Sequence, residues 1–200
     1  MKRSFCLLGS LLLGAGLVYA EAIVGQPAPE FNAADINGKR HRLGDYQGKI
    51  VVLEAYNLDC PFCANHFKSG AMQELQADMT RQGVIWLVVN SSHPKNPSYR
   101  DNATARKEWA AQKMKATAWI ADSEGTVGKA YGLTTTPHMI VINEKGVVAY
   151  NGAIDDRAEP EGDPRQARNY VREAVKALQA GKAVAVTKTK PYGCGVKYAD

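Results

Sequence analysis

A β-branched run, Lys49-Ile50-Val51-Val52-Leu53, leads through Glu54 to two cysteines, Cys60 and Cys63, that are separated only by Pro61-Phe62. The run has the composition of a buried strand, and helical spacing of Phe67, Ala71, Leu75 and Met79 starts at Cys60-Pro61 and continues to Gly83. The pair therefore sits where a strand hands over to a helix. Proline is tolerated in a first helical turn because its missing N–H costs no hydrogen bond there. Pro61 thus puts Cys60 at the helix N-terminus and Cys63 one turn further in. Unpaired amides and the positive end of the helix dipole favour thiolate over thiol, and such positions bring a cysteine pKa from about 8.5 to roughly 3.5–7.5. Cys60 is the expected nucleophile and Cys63 the partner that closes a disulfide.

Other uses of paired cysteines make different demands. Covalent haem attachment needs a histidine directly after the second cysteine, and Ala64 stands there. A structural zinc site normally takes four ligands, and there is no second CxxC pair. A metal would have to recruit some of His66, His138 and Cys194. A purely structural disulfide would close so small a loop that it constrained the unfolded chain little.

Export is written at the N-terminus. Met1-Lys2-Arg3 is basic, Phe5 to Val18 is apolar and glycine-rich, and Val18-Tyr19-Ala20 offers the small residues that a signal peptidase reads. Residues 1–20 are therefore expected to be a signal peptide, with cleavage after Ala20 or Ala22. The protein is then periplasmic if its source is a Gram-negative bacterium and secreted otherwise. No later stretch approaches the ~20 apolar residues of a membrane span. Cys6 leaves with the signal, so the mature chain keeps Cys60, Cys63 and Cys194 in a compartment that oxidises thiols. Without Lys2 and Arg3, 23 basic residues face 20 acidic ones. So weak a balance argues neither for nucleic acid nor for a membrane surface as partner.

The rest of the chain reads as one α/β domain over 21–181 followed by a tail, 182–200. Asn37-Gly38 marks a hairpin pairing 31–33 with 40–42, in which His41, between two arginines, is expected to be solvated. Val84 to Val89 is a second buried strand, and Tyr99 to Lys115 a helix with Ala103, Trp109, Ala110 and Met114 inward. Ala118 to Ala121 is a short strand and Thr126 to Tyr131 a short helix. Thr134-Thr135-Thr136-Pro137 precedes the strand His138 to Asn143, which turns at Lys145-Gly146 into Val147 to Tyr150. Asp163-Pro164 caps a closing helix whose inner face carries Ala167, Tyr170, Val171, Ala174, Val175 and Leu178, and which stops at Gly181. Strands alternating with helices predict a largely parallel sheet covered on both faces.

This order, with Cys60-Pro61-Phe62-Cys63 after a strand and Thr136-Pro137 before a later one, resembles the thioredoxin-like superfamily. The early hairpin, the insertion between Ser91 and Ala116 and the stretch from Tyr131-Gly132 to Asp155-Asp156 resemble its redoxin branch of AhpC/TSA and TlpA-like proteins. Closest in appearance are peroxiredoxin-like exported proteins ending in a motif such as Tyr192-Gly193-Cys194. The resemblance covers about residues 25 to 198. It implies a thioredoxin-like fold with a mixed central sheet, helices on both faces and an N-terminal hairpin extension. It also implies that Cys60 and Cys63 are the nucleophilic and resolving cysteines. Pro137 matches the cis-proline beside the disulfide, Thr136 offers backbone groups to a substrate strand, and Glu54 matches the buried carboxylate that moves the second cysteine's proton.

The residues agree with that role for Glu54, because an ionised carboxylate inside an apolar strand must be protonated or meet polar groups. The competing expectation is a strand-end glutamate in water. Asp59 is expected in a solvated loop. Peroxiredoxins carry proline seven residues and threonine or serine three residues before their cysteine, where this chain has Leu53 and Asn57. The activity expected is thiol–disulfide exchange with protein or small-molecule thiols and disulfides and with a reducing partner protein, without cofactor. A thiol peroxidase and a copper- or zinc-binding module are the alternatives. Cys194, in a glycine-flanked and flexible tail, could attack a mixed disulfide at Cys60, pair between chains, or stay free. His66 and His138 are expected to be ordinary flanking histidines.

Overall fold

The structure is a computed structural model that describes residues 22–199. The expected signal segment 1–20 lies outside the described residues. In chain order the strands and helices are β1 (Asn32–Ala34), β2 (Arg40–Arg42), β3 (Val51–Ala55), α1 (Pro61–Lys68), α2 (Ala71–Arg81), β4 (Ile85–Asn90), α3 (Asn102–Ala111), β5 (Ala118–Ala121), α4 (Thr126–Ala130), β6 (Thr135–Thr136), β7 (His138–Ile142), β8 (Val148–Gly152), α5 (Tyr170–Gln179) and β9 (Cys194–Gly195).

The five-stranded central sheet runs β5-β4-β3-β7-β8. β3 pairs parallel with β4, and β4 with β5, whereas β7 runs antiparallel to both β3 and β8. The sheet is therefore mixed, not largely parallel. The tight turn at Asn143–Val147 makes β7 and β8 a hairpin, and a hairpin is antiparallel by construction.

Period-two alternation sorts β3 between two cores. Val52 faces Trp86, Val88, Met139 and Val141 beneath α1, α2 and α5, where Phe67, Met72, Leu75, Val171 and Val175 pack. Val51, Leu53 and Ala55 face Leu87, Ile120 and Ile140 on the opposite side, beneath Val127 of α4 and Phe31 before β1. Each fully buried side chain of this kind contributes about 1.5–3 kcal/mol. Helices thus cover both faces, as in thioredoxin-like folds.

Several local expectations give way. The single helix from Cys60 to Gly83 is two, because Gly70 adopts φ 82°, a left-handed conformation that ends one helix and starts the next. The side chain of Asp101 accepts from the Thr104 N–H and starts α3 three residues later than the spacing suggests. Ala103 and Ala110 are exposed and Ala105 takes the inner face, while Met114 is buried and Trp109 packs against the core as expected. Asp163 caps only a short 3-10 turn, while Asn169 caps α5 by accepting from the Arg172 N–H, so Ala167 lies outside the helix. His41 is buried, not solvated: the β1–β2 hairpin folds onto β5, where the Ile36 N–H donates to the Trp119 carbonyl. The His41 ring meets Tyr46 Oη and Asp35 Oδ2. The tail is also anchored, since β9 pairs antiparallel with β6, bringing Cys194 opposite Thr136.

Candidate active site

Cys60 is the N-cap of α1, with an extended backbone (φ −80°, ψ 120°) and Pro61 at the first helical position. The Ala64 N–H donates to its carbonyl at 2.9 Å, closing the first turn. Both cysteines are free thiols, 1% and 0% exposed. As a thiol, Cys60 Sγ donates to the Thr136 carbonyl at 2.9 Å, and it accepts from the Cys194 main-chain N–H at 3.3 Å. The Thr136–Pro137 bond that carries this carbonyl is cis.

The two sulfurs ionise in opposite senses. The Cys63 thiol, hydrogen-bonded to Cys60, is the largest influence bringing the Cys60 pKa down to about 4 against the opposing effect of burial. The Cys63 amide and the Cys194 and Thr136 side chains add to the lowering. The Cys60 side chain makes no N-cap hydrogen bond to the first turn of α1, so the amide acts on the sulfur as an oriented dipole. Cys63 is pushed well up, first by burial and then by the hydrogen bond and charge of Cys60. A thiolate at Cys60 beside a proton held on Cys63 is the preferred arrangement of the pair.

Glu54 occupies the middle of the sheet, opposite Val88 of β4 and Met139 of β7, and is fully buried. Its Oε2 accepts from Trp86 Nε1 at 2.7 Å and from Gln76 Nε2 at 2.9 Å, while Oε1 has no hydrogen-bond partner. Burial lifts its pKa to about 7 against those two hydrogen bonds. A strand-end carboxylate in water is excluded, and its charge reaches Cys63, whose pKa it helps to raise. Asp59 is exposed as expected, but it is also ion-paired to Arg100 at 2.7 Å, which directs its charge away from the sulfurs.

The AhpC/TSA family model matches residues 24–151, well over half of the chain. The chain belongs to the AhpC/TSA family. It is 33% identical over 126 residues to a thiol-disulfide oxidoreductase ResA from Geobacillus thermodenitrificans, covering 62% of this chain and 66% of that protein, just under two thirds of the relative's length. A hypothetical protein from Sinorhizobium meliloti superposes with a TM-score of 0.77 at 23% identity, covering 88% of this chain and 95% of that one. A protein provisionally named thiol:disulfide interchange protein DsbE, from Chlorobium tepidum, superposes with a TM-score of 0.52 at 23% identity, covering 66% of this chain and 85% of that one. The last two establish likeness of fold.

Within this AhpC/TSA chain, the sequence brings Cys60, Cys63, Glu54, Thr136 and Pro137 into consideration, and the fold gathers them at one end of β3. Cys194 joins them from the tail. The histidines stand differently. His66 is buried rather than on the helix surface, 3.4 Å from Tyr192 Oη and 3.7 Å from Asp155 Oδ2, and burial brings its pKa down to about 4. His138 Nδ1 accepts from the Thr134 N–H, so Nε2 carries the proton toward Asn151 Oδ1 at 2.7 Å. Among the described residues no three His, Cys, Asp or Glu side chains form a metal-holding group.

Residues missed in the sequence are Trp86, Gln76 and Asp155, and Tyr192 and Gly193 stand there only as part of a motif, without a role. The Tyr192 ring packs against that of Phe62, between the cysteines, with centroids 5.6 Å apart and planes tilted by 51°, and its hydroxyl donates to Asp155. Only the Tyr192-Gly193-Cys194 run carries a local signal. The others are defined by partners far along the chain.

Proposed function

We propose that this chain is an exported thiol-disulfide oxidoreductase working through a Cys60/Cys63 dithiol–disulfide couple, in a domain spanning 21–181 with a tail, 182–200. The carrying observation is the placement of Cys60 at the N-terminus of α1, its Sγ 2.9 Å from the Thr136 carbonyl and Cys63 buried one turn further in, which favours opposed ionisation of the two sulfurs. The ResA relative supports the same chemistry. The basic and apolar N-terminus supports export.

The Cys60 thiolate attacks one sulfur of a partner disulfide, forming a mixed disulfide and releasing the other partner sulfur as a thiolate. Cys63 then has to lose its proton in a buried site. Glu54, with a pKa of about 7, is half ionised near neutrality and accepts it. The Cys63 thiolate attacks Cys60 Sγ, the Cys60–Cys63 bond forms, and the second partner sulfur leaves. Two electrons pass from chain to partner, and the reverse sequence oxidises a partner's thiols. Thr136 and Pro137 border the sulfur and orient what approaches it, and no cofactor enters.

The test compares the reduced mature chain with glutathione disulfide and with hydrogen peroxide in separate mixes, read by mass spectrometry. Ready exchange with the disulfide, ending in Cys60–Cys63, and slow loss of thiols to peroxide are expected. Fast and selective oxidation by peroxide would make the chain a peroxidase despite Leu53 and Asn57.

A further inference from the structure

The nucleophile is closed off by the chain's own tail. Cys60 is 1% exposed and Cys63 is 0% exposed, whereas Cys194 is partly open to solvent. The tail is clamped on both sides of Cys194. Before it, Tyr192 lies on Phe62 and bonds Asp155. After it, the Val196 N–H donates to the Thr134 carbonyl, the Lys197 carbonyl accepts from the His93 N–H, and Tyr198 Oη donates to the Leu133 carbonyl at 2.7 Å. Gly193 makes the close approach possible, since it has φ 113° and a Cβ there would sit 2.1 Å from the Thr136 carbonyl oxygen. The effect is to hold the Cys194 N–H on Cys60 Sγ at 3.3 Å. An outside thiol meets Cys194 first.

We propose that Cys194 is the port of the buried couple: it exchanges with the Cys60–Cys63 disulfide and presents the sulfur that partner thiols attack. The proposal rests on the thiol–disulfide reading above. In the oxidised chain the Cys194 thiolate attacks Cys60 Sγ. The Cys60–Cys194 bond forms, the Cys60–Cys63 bond breaks, and Cys63 leaves as a thiol with the proton that Glu54 returns to it, with no net change of oxidation state. A partner thiolate then attacks Cys194 Sγ and Cys60 leaves. Attack is directed this way because the sulfur with the lower pKa is the better leaving group, and that sulfur is Cys60. A second partner thiol attacks the partner sulfur of the mixed disulfide, releases Cys194, and carries away a disulfide while the chain keeps three thiols.

The experiment uses the full mature chain, oxidised with one equivalent of diamide, mixed with reduced glutathione, quenched in acid at intervals, alkylated, and mapped by mass spectrometry. Both Cys60–Cys63 and Cys60–Cys194 disulfides are expected, with glutathione first on Cys194. Cys194→Ser should slow the exchange by about tenfold or more, because a tethered thiol acts at millimolar effective concentration. Gly193→Ala, which keeps all three cysteines, should deplete Cys60–Cys194 and leave Cys60–Cys63. Glutathione on Cys60, at equal rates in the wild type and Cys194→Ser, would overturn the port and leave thiol exchange standing. No glutathione on any cysteine would overturn both.

Discussion

The indole N–H of Trp86 donates to Oε2 of Glu54 across 2.7 Å inside the sheet, and Oε1 of the same carboxyl has no partner. One oxygen is solvated by protein and the other is bare. An ionised carboxylate needs donors at both oxygens, so the pocket supports the charged form by half and leaves the group titrating near neutrality.

Replacing Glu54 by Gln should remove a pH-dependent penalty. The folded pKa of about 7 lies above the ordinary 4.5, so between these values the folded chain binds more protons than the unfolded one. Its contribution to stability is present at low pH and is lost as pH rises through that window. Relative to the wild type, Glu54→Gln should gain on the order of 3 kcal/mol on going from pH 4 to pH 8. Urea unfolding of both reduced proteins at the two pH values measures the difference, and an unchanged difference would remove Glu54 from the proton path.

Trp86→Phe keeps a ring in the same core but deletes the donor to Oε2. The hydrogen bond from Trp86 holds the Glu54 pKa down, so the variant's carboxyl should titrate higher than the wild type's about 7. A carboxyl infrared band followed against pH reads this directly.

The Cys60 sulfur should alkylate as a thiolate throughout the neutral range. With a pKa of about 4, its iodoacetamide rate, resolved by peptide mass spectrometry, should be flat above about pH 6 and fall below that. Because the Cys63 thiol is the largest influence on that value, Cys63→Ala should move the inflection upward. An inflection near that of an unperturbed thiol in the wild type would contradict the nucleophile assignment.

Local chemistry makes the centre of this site legible: Pro61 after Cys60 and a β-branched run before Glu54 each state a conformation within a few residues, whereas the place of Pro137 beside the sulfur comes only from the resemblance. The sheet's mixed direction is not readable from strand–helix alternation, because it depends on how β7 returns beside β3. His41 reads as solvated between two arginines because its cover comes from Tyr46 and Asp35 once the hairpin has folded onto β5. Trp86 and Gln76 meet Glu54 across 32 and 22 residues, and Tyr192 meets Asp155 across 37. Spacing rules for single elements carry nothing about such contacts. The anchored tail escapes the sequence for a related reason, since Gly193, one of the glycines that give it a flexible look, is what lets it lie against the Thr136 carbonyl.

The last prediction concerns the carboxyl beneath that tail. Asp155 is 1% exposed, accepts from the Tyr192 hydroxyl and the Arg157 N–H through Oδ1, and has no hydrogen-bond partner at Oδ2. Burial pushes its pKa up and the Tyr192 hydrogen bond holds it down. Tyr192→Phe keeps the ring on Phe62 and removes that donor, so a buried carboxylate loses a partner at a cost of about 1–3 kcal/mol. An acid whose folded pKa is raised loses its stabilising contribution as pH rises through the folded value. Removing the donor raises that value further, so the loss in Tyr192→Phe should be larger at pH 8 than at pH 4. Asp155→Asn has no charge to strand, and adding Tyr192→Phe to it should cost less than in the wild-type background. Urea midpoints for the four proteins at both pH values give the coupling. Loosening of the tail should appear in the same samples as faster alkylation of Cys194. Equal costs of Tyr192→Phe in the wild-type and Asp155→Asn backgrounds would mean that Tyr192 acts through its ring alone.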